Sequence, residues 1–198
     1  MNEVINKMDI YIQKELKEKT VRILFLTLLL FIPVLLIKTI ALLFLSATFI
    51  VYDIRHQNAE LLYFLPFSKK ELFLYNLIFL SLVVIVTSAI GEIFLGVHFI
   101  NKFEPILRSL ILLLAIFGLQ MTFSGFEMDG LGWSAFIVFL DALFGYMGTT
   151  DINSFAFNPY SLISFTRQGN LLLSLIFSLL DMLSMSFTEI DLSGRKFS

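Results

Sequence analysis

Apolar residues run through this chain in long unbroken blocks, and charged residues stand at the edges of those blocks. Residues 72–91 carry no charge, and neither do residues 109–126. A block at 131–147 is interrupted only by Asp141, and another at 170–187 only by Asp181. Such lengths predict bilayer-crossing helices. About 20 residues span the hydrocarbon core, and there each backbone polar group must be paired within its own segment. The block 21–52 holds, apart from Arg22 at its edge, a single charge, Lys38. As one helix it would be about 48 Å long, beyond a core of about 30 Å. The pattern therefore predicts two short helices, about 21–37 and 39–53, reversing at Lys38. The remaining spans are predicted at about 72–97, 106–125, 131–147 and 170–187.

Composition narrows the class of protein. Hydrophobic residues make up 58% of the 198, Phe occurs 23 times, and charged residues reach only 15%, against about 25% in soluble domains. A core of this size cannot hide that much apolar surface from water. An ordinary soluble enzyme is thus excluded, and with a net charge of −2 so is a basic nucleic-acid binder. The absence of Cys removes thiolate chemistry, disulfides and Cys-ligated metals.

Charge asymmetry orients the spans, because Lys and Arg accumulate on the cytoplasmic side. With six spans and both termini inside, Lys7, Lys14, Lys17, Lys19, Arg22, Arg55, Lys69, Lys70, Arg195 and Lys196 are cytoplasmic, leaving Lys38, Lys102, Arg108 and Arg167 outside. A single span over 21–52 would blur that bias. The expectation is an all-α, multi-pass protein of the cell membrane, one domain over 1–198.

The segments between spans carry their own pattern. In 1–20, Val4, Ile5, Met8, Ile12 and Leu16 follow the spacing of one helical face, and Glu3–Lys7 and Glu15–Lys19 pair at i, i+4. This predicts an amphipathic helix lying on the cytoplasmic membrane surface. In 54–71, Pro66 breaks a helix, and Ser68 with Glu71 forms a capping box ahead of the third span. A short cytoplasmic helix ending near Phe64, then a break, cap and span, is the expected order. Leu61, Leu62, Phe64, Leu65 and Phe67 are too apolar for an idle loop and mark a partner surface. Residues 148–169 mix polar and aromatic residues, as in an outer segment dipping into the leaflet, with Asn158–Pro159 starting a short helix.

Glu60, Leu61, Leu62, Leu65, Pro66, Ser68 and Lys69 together resemble the glutamate, leucine pair and L-P-x-S-[RK] sequence found between spans two and three in the membrane subunits of ABC-2 type ATP-binding-cassette transporters. The likeness extends to the layout: an amphipathic start, a short hairpin of two spans, this segment, four further spans and an outer re-entrant segment before the last. It implies a permease subunit of an exporter. Its coupling helix, with Glu60, Leu61, Leu65, Pro66, Ser68 and Lys69 at the contact, would dock on a cytosolic ATPase. It also implies a second permease copy or related subunit, with ATP and Mg held by the partner and no cofactor in this chain. The chain departs from the family where a Gly before the glutamate and a Lys early in the third span are usual: Gln57, Asn58 and Ala59 stand at the first place, Tyr75 and Asn76 at the second. A second reading is a membrane scaffold or assembly factor using the same segment for another partner.

No phosphate-binding loop G-x-x-x-x-G-K-[ST] occurs in the chain, so a motor would be another polypeptide and no catalytic residue is expected here. His56 and His98 are isolated, and neither H-E-x-x-H nor G-x-S-x-G is present. Glu92, Asp141 and Asp181 fall inside predicted spans, Asp141 and Asp181 about halfway along theirs. Ionisable residues there are functional candidates: they either line a polar path or bond neighbouring helices through Ser, Thr, Asn or Tyr. Leu140–Asp141 and Leu180–Asp181 lack the flanking residues of an intramembrane aspartyl protease.

Overall fold

The structure, a computed structural model, describes residues 2–51, 69–94, 103–148, 157–161 and 168–182. Every regular element among them is helical. In chain order these are α1 (Asn2–Leu30), α2 (Leu35–Ser46), a π-helical turn (Ala47–Val51), α3 (Lys69–Phe94), α4 (Phe103–Gly125), α5 (Gly130–Gly145) and α6 (Leu171–Met182).

α1 breaks at Lys19, whose φ of −122° and ψ of 18° are not helical. The break falls at the expected junction between the N-terminal arm and the first apolar block. Lys19 Nζ donates to Phe49 O at 3.4 Å, so the break is tied to the π-turn that ends α2. The reversal between α1 and α2 is at Phe31–Val34, four residues or more before Lys38, which corrects the expectation of a turn at Lys38. Pro33 is the cause. It has no N–H to continue the ladder and disfavours helix at the residue before it. The last N–H groups of Phe31 and Ile32 fall back on i−3 carbonyls, Val34 is extended, and α2 starts at Leu35. Lys38 thus lies in the first turn of α2 and is 3% exposed.

α4 is the centre. It packs against α2, α3 and α5, while α1 lies on α2 and α3. Ile111, Leu112, Leu113, Ile116 and Phe117 of α4 meet Leu42 and Leu45 of α2, Phe49 of the π-turn, and Leu80 and Val84 of α3 in one core. Phe73 against Phe117, with centroids 5.0 Å apart, fixes α3 on α4. Gly118 lets α6 approach, since a Cβ there would stand 2.8 Å from Asp181 Oδ2.

Two helices, Phe73–Phe94 and Phe103–Gly125, are long and apolar enough to cross a membrane; Leu35–Phe49, Gly130–Gly145 and Leu171–Met182 are shorter apolar helices. The outer surface is apolar as well. Leu24, Phe25 and Leu28 on α1, Leu36, Ile40 and Phe44 on α2, Leu74, Ile78 and Leu82 on α3, Phe136, Phe139 and Leu143 on α5, and Leu172, Ile176 and Leu180 on α6 are all exposed. The polar side chains Lys38, Thr87, Ser88, Arg108, Ser109, Gln120 and Ser134 are buried. This is the reverse of the distribution that water selects.

Candidate functional site

The polar interior is concentrated where the α1–α2 turn, the last turns of α3 and the first turns of α4 meet. Lys38 of α2 points its ammonium at Ser88 Oγ (3.4 Å) and Glu92 Oε1 (3.8 Å) of α3 and at Ser109 Oγ (3.5 Å) of α4. Ser88 and Ser109 are each 1% exposed. Ser109 donates its own proton to Pro105 O at 2.7 Å, which leaves its lone pairs to Lys38. Ser88 and Glu92 stand at i, i+4 on one face of α3. Directly before Glu92, Gly91 brings the α3 backbone against the Phe31 carbonyl, where any Cβ would collide.

One residue before Ser109, Arg108 is held differently. Its Nε and Nη2 donate to Glu104 Oε1 at 2.9 and 2.7 Å, and Nη1 donates to Gln168 O at 3.1 Å. Gln168, wholly buried, is a clasp. Its Oε1 accepts from the backbone N–H of Asn158 and Asn170, and its Nε2 donates to the carbonyls of Asn158 and Ser161. All four capacities of the amide are used, as a buried side chain requires. Asn158 Nδ2 donates to Gly145 O, and Asn158 Oδ1 accepts from Tyr160 N–H. Asn158–Pro159 therefore opens a capped turn, and residues 162–167 lie outside the described residues. Asn170 Oδ1 accepts from Leu173 N–H and caps α6.

Each of the three acids expected inside spans has its own neighbour on another segment. Glu92 faces Lys38. Asp141 accepts from Ser161 Oγ at 3.1 Å and lies one turn from the C-terminal end of α5, not halfway along it, because that helix closes at Gly145 in contact with Asn158. Asp181 presses on α4 at Gly118. Of the expected coupling residues, Glu60, Leu61, Leu65, Pro66 and Ser68 lie outside the described residues. Lys69 is described only as the first residue of α3, directly after the expected cap Ser68.

The reading of the sequence alone missed Lys38, Ser88, Ser109, Arg108 and Gln168 as interior groups. A charge at Lys38 reads as a boundary, but Pro33, five residues earlier, is the stronger helix breaker and sets the turn. Among the described residues no group of three or more His, Asp or Glu is arranged to hold a metal. Comparison with models of protein families, with curated proteins and with solved structures gives no match for the chain.

Proposed function

We propose that this chain is the membrane-spanning permease subunit of an ATP-binding-cassette exporter of the ABC-2 type, moved by a separate ATPase that docks between its second and third helices. The observation that carries the reading is the Glu60–Lys69 motif and its place in the chain: it falls between Val51, the end of the π-turn after α2, and Lys69, the start of α3. The apolar exterior supports a lipid setting for all six helices, since soluble proteins rarely expose contiguous apolar patches above a few hundred Å². In that setting the 31–34 turn faces outward, and the N-terminal arm and the 126–129 turn face the cytoplasm. The chain supplies the path, and the partner supplies ATP and Mg. Two copies, or one copy and a related subunit, complete the path.

The mechanism follows from rigid elements. Closure of the ATPase pair would displace the 52–68 segment, and α2 and α3, attached at its two ends, would tilt with it. The 1.5 Å rise per residue makes α3, with 26 residues, a rod of about 39 Å, long enough to carry a cytoplasmic displacement to the opposite membrane face. The test is to purify the chain with an ATP-binding-cassette ATPase encoded beside it and to substitute Glu60→Ala and Pro66→Ala. The expected result is at least tenfold weaker complex formation and loss of the ATPase stimulation that the intact chain gives. Unchanged association and unchanged ATP turnover would remove the coupling role and favour a scaffold.

A further inference from the structure

Two basic side chains are buried at the same end of the bundle, and their partners hold them in different ways. Arg108 sits within 2.7–3.1 Å of its acceptors on Glu104 and Gln168, the lengths of strong charge-assisted bonds. Lys38 has three oxygens around it at 3.4, 3.5 and 3.8 Å, and none lies in that range. Burying two ions is expensive, and a pair is repaid only when its geometry is close and its remaining valences are filled. Arg108 meets that standard and Lys38 does not. The Lys38 cluster is thus a poor permanent anchor.

Its position gives it another use. Lys38 belongs to α2, Ser88 and Glu92 to α3, and Ser109 to α4. α2 and α3 are the two helices that flank the 52–68 segment, and the cluster joins them at their far ends. Beside it, Gly91 brings the α3 backbone into close approach with Phe31 O of the α1–α2 turn. We infer that Lys38, Ser88, Glu92 and Ser109 form a reversible latch, closed in this structure. Withdrawal of the Lys38 ammonium from its three oxygens lets the α1–α2 pair part from α3 and α4, while Arg108 keeps α4 joined to the 168–170 segment. The latch rests on the proposed membrane topology, in which this end faces outward, but not on the identity of the motor.

The chain has no Cys, so single cysteines report accessibility without background. Three reporters are placed in intact cells treated with a membrane-impermeant maleimide. Ile32→Cys lies in the 31–34 turn. Val84→Cys, at a site 1% exposed, is one helical turn deeper than Ser88 on the same face of α3. Ser134→Cys, at a fully buried site, lies near the opposite end. Glu92→Gln leaves a buried ammonium without its counter-ion, which drives Lys38 toward water. The expected result is a rise of at least tenfold in the labelling rate of Val84→Cys, with Ser134→Cys unchanged. Adding Lys38→Met to Glu92→Gln removes both charges and returns the Val84→Cys rate to within twofold of the starting value. A Val84→Cys rate unmoved by Glu92→Gln overturns the latch. A parallel rise at Ser134→Cys also overturns it, because the pair then only supports global stability. Failure of Ile32→Cys to react from outside refutes the topology itself, and the latch with it.

Discussion

Glu127 is the one non-glycine residue among those described with a positive φ, at 61°. It closes α4. Met128 N–H donates to Phe123 O and Glu127 N–H to Ser124 O, the six-to-one and five-to-two bonds that end a helix with a left-handed residue at the position after the cap. Glycine takes that conformation without cost, whereas an L side chain there is strained by about 1 kcal/mol or more. Glu127 is exposed and gives up no packing. Glu127→Gly is therefore expected to stabilise the protein by about 1 kcal/mol, read as a rise of a few degrees in the unfolding midpoint in detergent. A lower midpoint would show that the Glu127 carboxylate makes a compensating contact. The sequence hid this cap because the available glycine, Gly125, stands two residues too early, inside the last turn of α4. At this scale little of the site was legible. Gln168 looks like any polar residue of an outer segment until its four backbone partners are known. Lys38 looks like a solvated boundary until Pro33 is given priority over charge.

Elements were more legible than residues, for a physical reason. Long uncharged blocks leave a helix almost no alternative, so the described helices α3, α4 and α5 cover most of the blocks expected at 72–97, 106–125 and 131–147. The junction at residue 20 was also foreshadowed, because the charged arm and the apolar block favour different surroundings and α1 breaks between them. Helix contacts were not legible, since they depend on what faces each small residue. Gly91 and Gly132 make the point. A Cβ on Gly91 meets the backbone carbonyl of Phe31, which cannot move without shifting the α1–α2 turn. A Cβ on Gly132 meets the side chain of Asp129, nearest at its Oδ2, and that residue is exposed. Gly91→Ala is therefore expected to destabilise by about 1–3 kcal/mol through overpacking. Gly132→Ala, in the first turn of α5, is expected to be neutral or to stabilise by up to about 1 kcal/mol from helix propensity. Thermal unfolding of both variants in one detergent checks the pair. Equal effects would mean that α3 does not seat on the Phe31 carbonyl.

For the whole molecule the governing fact is the inverted distribution of polarity. α4 has 67% of its apolar stretch buried and α3 only 28%, yet both are equally free of charge through their middles. A central helix of a water-soluble bundle could match α4, but α3 could not, because its outward face of Leu74, Ile78, Leu82 and Val86 would be left in water. The proposed lipid setting removes that conflict and accounts for the hydroxyls that turn back on their own helices. The buried Ser46, Thr48, Thr87 and Ser178 and the half-buried Thr39 each donate to a carbonyl three or four residues back, the partner such a hydroxyl takes where no water reaches it. The arrangement makes a definite statement about sides. Helices α1 and α2 reverse at Phe31–Val34, and α4 and α5 reverse at Phe126–Asp129; in the proposed topology α2, α3 and α4, which lie between these turns, each cross once, so the two turns belong on opposite faces. In the cysteine-free chain, Ile32→Cys should react with an impermeant maleimide in intact cells. Asp9→Cys on the arm and Met128→Cys in the second turn should react only after the membrane is opened. Labelling of Ile32→Cys and Met128→Cys from the same side would require α2, α3 and α4 to make an even number of crossings in place of three, and the six-span arrangement would fall.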